Sequence, residues 1–86
     1  MPYQVELAPS AQRELAKLPN DVVRIAAERL ARLADEPRPR QSKKLSGGAP
    51  RWRIRFGGYR AIYAVSDRER VVVVLRVVIK GKETYN

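Results

Sequence analysis

The chain has no cysteine and no histidine. Without cysteine there are no disulfides, no thiol chemistry and no thiolate metal ligands. Without histidine the imidazole base and the commonest metal ligand are both missing. A histidine-dependent ribonuclease and a Ser-His-Asp hydrolase are therefore excluded by composition. Any catalysis must run on Arg, Lys, Tyr, Asp or Glu, and neither a metal nor a cofactor is expected. Acidic residues are scarce too: nine Asp and Glu stand against eighteen Lys and Arg, a net charge of +9 and a pI near 10.7. On a small chain that imbalance favours polyanionic partners, whether nucleic acid, an acidic protein or an anionic membrane. The membrane is the weakest of these. The one long apolar run, Val71 to Leu75, is broken by Arg76 before Val77, Val78 and Ile79, far short of the ~20 residues of a spanning helix. The opening MPYQVEL shows neither a charged nor an apolar leader region, so the expectation is a cytoplasmic protein with no membrane partner.

What is present suffices for one domain over residues 1–86, with 44% hydrophobic residues, ordinary for a globular protein. Tyr3 to Leu7 alternates apolar and polar, as a strand does. Pro9 and Ser10 end it, Ser10 serving as a possible N-cap. Ala11, Leu15 and Leu18 then share one face of a short helix that Pro19 breaks. Asn20 or Asp21 caps a second helix, in which Val22, Ile25, Ala26, Leu30 and Leu33 form the apolar stripe up to Ala34. Arg24, Glu28 and Arg32 lie along its outer side at a spacing that favours pairing. From Asp35 to Pro50 the sequence DEPRPRQSKKLSGGAP reads as irregular. Its Arg38, Arg40, Lys43 and Lys44 fit two descriptions equally: a basic loop that tracks a phosphate backbone, or a solvated connection that happens to be basic.

The most informative window is RWRIRFGGYRAIYAV, Arg51 to Val65. Arg51, Arg53 and Arg55 alternate with Trp52, Ile54 and Phe56, the period of a half-buried strand. Gly57-Gly58 makes a two-residue hairpin turn. The register then follows: Phe56 opposite Tyr59, Arg55 opposite Arg60, Ile54 opposite Ala61. One face carries Trp52, Ile54, Phe56, Tyr59, Ala61 and Tyr63, a core; the other carries Arg51, Arg53, Arg55 and Arg60. Like charges directly opposed on a sheet are destabilising, so Arg55 across from Arg60 points to an anion held between them. Taken alone, Arg53 and Arg55 read equally well as solvent-facing strand residues. Val71 to Ile79 is nearly continuously apolar and predicts a central strand covered on both faces, with Arg76 either pointing toward the basic face or, the favoured reading, reaching past the sheet edge. The whole is an α+β fold of order β-α-α-β-β-β, with two helices on one face of a small, mainly antiparallel sheet. The arginines lie on its open face.

Four segments in order, LAKLPNDV (Leu15 to Val22), Leu45-Ser46-Gly47, RWRIRFGGYRAIYAV and VVVVLRVVIKGKETY, resemble the RelE/ParE superfamily of bacterial toxins over nearly the whole chain. The RelE branch of that family consists of ribosome-dependent endoribonucleases. The substrate's own 2′-hydroxyl attacks the adjacent phosphate, which suits a chain without histidine or cysteine. The resemblance implies a RelE-like fold, the toxin role in a type II toxin–antitoxin system, a cognate antitoxin as partner, and the ribosome and mRNA as targets. It gives Arg53 and Arg55 the binding of the RNA backbone and activation of the 2′-hydroxyl. It gives Arg60 the scissile phosphate, and Tyr85 a stacking contact with a base near the cut. Many relatives carry a His-Arg pair where this chain has Lys80-Gly81. Lys80 or Lys82 can supply a cation there, but an ammonium does not reproduce the guanidinium fork. The ParE branch, which inhibits DNA gyrase without nuclease chemistry, is the alternative that the resemblance allows.

Overall fold

The computed structural model describes residues 2–45 and 47–79. Their order is β1 (Gln4–Leu7), α1 (Pro9–Ala16), α2 (Asn20–Arg32), β2 (Lys43–Leu45), β3 (Arg51–Phe56), β4 (Tyr59–Ser66) and β5 (Val71–Ile79). The sheet runs β1-β5-β4-β3-β2. Only the β1–β5 pair is parallel, joining the first strand to the last; the other pairs are antiparallel.

The core lies between the helices and one face of the sheet. Ala11, Ala26, Leu30 and Leu33 meet Ile54, Phe56, Ala61, Tyr63, Val72, Val74 and Val77, all buried. Small residues at positions 11 and 26 let the helices lie close to the strands. Half-buried Leu15, Leu18, Val22, Trp52 and Tyr59 border this core, as the period-two and helical stripes require, but Ile25 of the α2 stripe stays exposed. No helix among the described residues is long and apolar enough to cross a membrane.

Several local expectations change. α1 begins at Pro9 and its N-cap is Ala8; the Ser10 hydroxyl instead donates to the Leu75 carbonyl at 2.6 Å. Pro at the first helical position needs no backbone donor, which releases Ser10 for that tertiary bond. α2 is preceded by Pro19, with no side-chain cap bond. No ion pair joins Arg24, Glu28 and Arg32 among the described residues. Within the segment read as irregular, Lys43–Leu45 forms an edge strand on β3. β5 is central in the pairing yet helix-covered on one face only: Val72, Val74 and Val77 are buried, whereas Val73 and Val78 on the other face are half-buried. Both helices are spent on the first of these faces. Arg76 does leave the sheet edge, where it meets α1. Its guanidinium binds the Glu14 carboxylate at 2.8 Å, and the same carboxylate accepts the Val77 amide at 2.7 Å.

Candidate functional site

The β3–β4 hairpin has the register expected from the sequence, with Trp52↔Tyr63, Ile54↔Ala61, Arg55↔Arg60 and Phe56↔Tyr59. Of the two turn glycines, Gly57 takes the left-handed φ of 59°, as the first central residue of a II′ hairpin turn does. Alternation then sorts the side chains. Ile54, Phe56, Ala61 and Tyr63 point into the core, and Arg53, Arg55 and Arg60 point to the opposite, open face. Arg51 lies on that face by the same alternation, and Lys43 joins it as the cross-strand partner of Arg53.

This arrangement has an electrostatic cost. The Arg53 guanidinium is held below its ordinary value, first by burial and then by repulsion from Arg55 and Arg60. Its Nε is buried with no hydrogen-bond partner among the described residues. A buried donor left unmade costs about 1–3 kcal/mol. A guanidinium in that position next to two more is ready for an anion with several acceptor oxygens, such as a phosphate, which forks of this kind bind bidentately.

The other basic residues are placed differently. Arg38 lies on the helix side, 5.4 Å over the Trp52 ring, and binds both Asp67 carboxylate oxygens at 2.8 and 3.1 Å. Asp67 also accepts the Tyr3 hydroxyl at 2.6 Å. These bonds hold the Asp67 carboxyl below the usual carboxylate range, with Arg38 the larger cause and Tyr3 the next. The same connection is fastened again by Tyr63, whose hydroxyl donates to the Pro37 carbonyl at 2.7 Å. Lys44 faces the helix side as the partner of Trp52, and Arg40 is an exposed residue of the connection. Lys80, Lys82 and Tyr85 lie outside the described residues.

Two features of the site escaped the sequence reading. Arg29 of α2 donates to the Arg55 carbonyl at 3.2 Å, fastening the strand that presents Arg55 to the helix behind it; no local pattern links residues so far apart. Ile62 lies among the cations of the open face, opposite Arg53. The alternation that placed Arg60 also fixes the side of Ile62, so this signal was available.

Comparison with known proteins places the site in context. Residues 5–83 match the sequence profile of the ParE toxin of type II toxin–antitoxin systems. Among solved structures, the toxin of the RelBE2 toxin–antitoxin complex of Mycobacterium tuberculosis is 34% identical. The match covers 93% of this chain and 100% of that one, at a TM-score of 0.83. The archaeal RelE of the RelE–RelB complex from Pyrococcus horikoshii is 31% identical, with 95% and 99% covered and a TM-score of 0.84. The intact RelBE complex of E. coli gives 29% identity, 90% and 95% covered and a TM-score of 0.79. Among curated proteins no significant match is found.

Proposed function

The chain belongs to the RelE/ParE superfamily, as a toxin of a type II toxin–antitoxin system, and we propose that it is a ribosome-dependent endoribonuclease that cuts mRNA in the A site. The observation that carries this reading is the opposition of Arg55 and Arg60 beside the desolvated Arg53 on the open face. An RNA backbone laid across that face puts a phosphate among three guanidiniums and relieves their mutual repulsion. The 2′-oxygen of the preceding ribose attacks the phosphorus, the P–O5′ bond breaks, and a 2′,3′-cyclic phosphate and a 5′-hydroxyl result. Negative charge grows on the non-bridging oxygens during this step, where preorganised cations stabilise it most. Arg53 remains a cation despite its lowered value, because guanidinium does not deprotonate in proteins. Its part is therefore electrostatic: it binds the phosphate and makes the nearby 2′-hydroxyl easier to ionise, with solvent water taking the proton that the 2′-oxygen gives up. The proton needed by the departing O5′ comes, in this reading, from Lys80, Lys82 or Tyr85.

A chain without imidazole draws its catalysis from positioning and electrostatics, which suits a substrate already held by the ribosome. Partners follow from the same reading: ribosome and mRNA as target, and an acidic antitoxin that covers the +9 toxin. The RelBE2 and E. coli RelBE relatives are toxin–antitoxin complexes, which supports the antitoxin assignment. The cytoplasm, where ribosomes are, is the place of action.

A second reading is favoured by the profile match to ParE: inhibition of DNA gyrase, with the arginine face as a binding surface and no cleavage. Expression in cells without antitoxin separates the two. The ribonuclease reading predicts growth arrest with new mRNA 3′ ends inside codons and intact DNA. Arrest with damaged DNA and intact mRNA would replace it with the gyrase reading.

A further inference from the structure

The open face carries apolar side chains among its cations: Leu45 pairs with Arg51, Val78 with Arg60 and Ile62 with Arg53. Ile62 is half-buried, opposite Arg53 on β3 and Arg76 on β5. Since Lys43 pairs with Arg53, the row across the sheet reads Lys43, Arg53, Ile62, Arg76; the Arg76 guanidinium is taken by Glu14, which leaves Lys43 and Arg53 as the cations beside Ile62. Ile62 also lines an open hollow of about 410 Å³ with Leu45, Gly48, Ala49 and Arg51. The floor is aliphatic and one edge is a guanidinium, that of Arg51, which has no side-chain partner among the described residues. A phosphate gains nothing on such a floor, because it would lose water without acquiring donors. A flat, partly apolar group attached to phosphates on either side fits both the floor and its cationic surround. Among the described aromatics of the hairpin, Trp52, Phe56, Tyr59 and Tyr63 all face the helices, so no ring is at hand for stacking here. Bases also rest on apolar side chains and on guanidinium planes.

We propose that the hollow formed by Leu45, Ala49, Arg51 and Ile62 is a base subsite of single-stranded RNA. It takes the base of a nucleotide flanking the phosphate held by Arg53, Arg55 and Arg60, and a purine covers its floor better than a pyrimidine. This rests on the ribonuclease reading and adds to it a place where sequence is read, separate from the stacking contact that resemblance gives to Tyr85.

The test uses the purified full-length toxin and its Ile62→Thr and Ile62→Tyr variants on ribosomes programmed with messages that differ by single bases around the cut. β-Branched and aromatic residues both suit a strand, and circular dichroism checks the fold. The wild type should favour a purine at one fixed position. Ile62→Thr should erase that preference and raise KM about fivefold at the favoured messages, with kcat unchanged. Ile62→Tyr should keep the preference, since its ring supplies a stacking surface. Retention of the wild-type preference by Ile62→Thr, or an equal loss at every message, would overturn the subsite while leaving the ribonuclease standing. If Ile62→Thr does not fold, loss of the preference in Ile62→Tyr overturns it. A wild type that cuts no message removes the ribonuclease reading and the subsite with it.

Discussion

Two basic regions of this chain look alike in sequence and differ in what surrounds them. The connection after α2 and the β3–β4 hairpin are both rich in arginine. Arg38 in the first has a carboxylate in bidentate contact and an aromatic ring beneath it; it ties the connection to the β4–β5 turn. Arg53 in the second has a buried Nε without a partner among the described residues and two more arginines for company. The lesson is that charge density does not mark a site. A cation that the fold itself neutralises is a fastener, and a cation that the fold leaves repelling its neighbours is kept for something outside.

The comparison can be broken most decisively at Arg60. Arg60→Ala should lower cleavage by about 10²–10³-fold, the range for loss of one group aimed at developing charge, with the fold retained by circular dichroism. An equal loss of cleavage from Arg38→Ala would erase the distinction between the two regions. Next in size is Tyr63→Phe, which removes the bond to the Pro37 carbonyl. It should cost about 1 kcal/mol, a drop of roughly 4–8 °C in melting temperature for a domain this small, with cleavage unchanged. Arg38→Ala should lower the melting temperature less, because both partners of its ion pair are partly exposed (36% and 60%) and water screens such pairs.

The smallest effect is in acid. Folding places Asp67 below its ordinary value, so the unfolded chain takes up this proton more readily than the folded one. The contribution of the bridge is therefore full above the unfolded value of about 3.9 and fades as pH falls through the folded one. Asp67→Asn should flatten that part of the stability curve measured by denaturant at pH 2–5. Matching acid limbs in wild type and variant would show that the bridge adds nothing.

The hairpin was legible because its information is local. Alternation sets the faces, and a two-residue glycine loop sets the register, so the Arg55–Arg60 opposition could be read from fifteen residues. β2 was not legible. Lys43 to Leu45 has too short a pattern to show a period, and it is a strand only because Arg51–Arg53 pairs with it. The fate of Arg38 was equally hidden, since Asp67 is 29 positions away and sits in a turn that reads as merely polar. Glu14 and Arg76 meet across 62 positions for the same reason. The over-reading of β5 came from its composition: Val71 to Ile79 is apolar enough for two covered faces, but the chain provides helices for one. What remained beyond sequence reading was therefore mostly long-range pairing of charges, which separates fasteners from site.

The central claim, that the arginine face of the hairpin holds a scissile phosphate, is tested most directly on ribosomes programmed with a defined mRNA. Purified toxin and Arg60→Ala are compared there, with 3′ ends mapped and naked mRNA run in parallel. The account predicts a cut within the A-site codon by the wild type, none in naked mRNA, and near-complete loss in Arg60→Ala. Intact mRNA on the ribosome, from wild-type protein that still arrests growth, would contradict it.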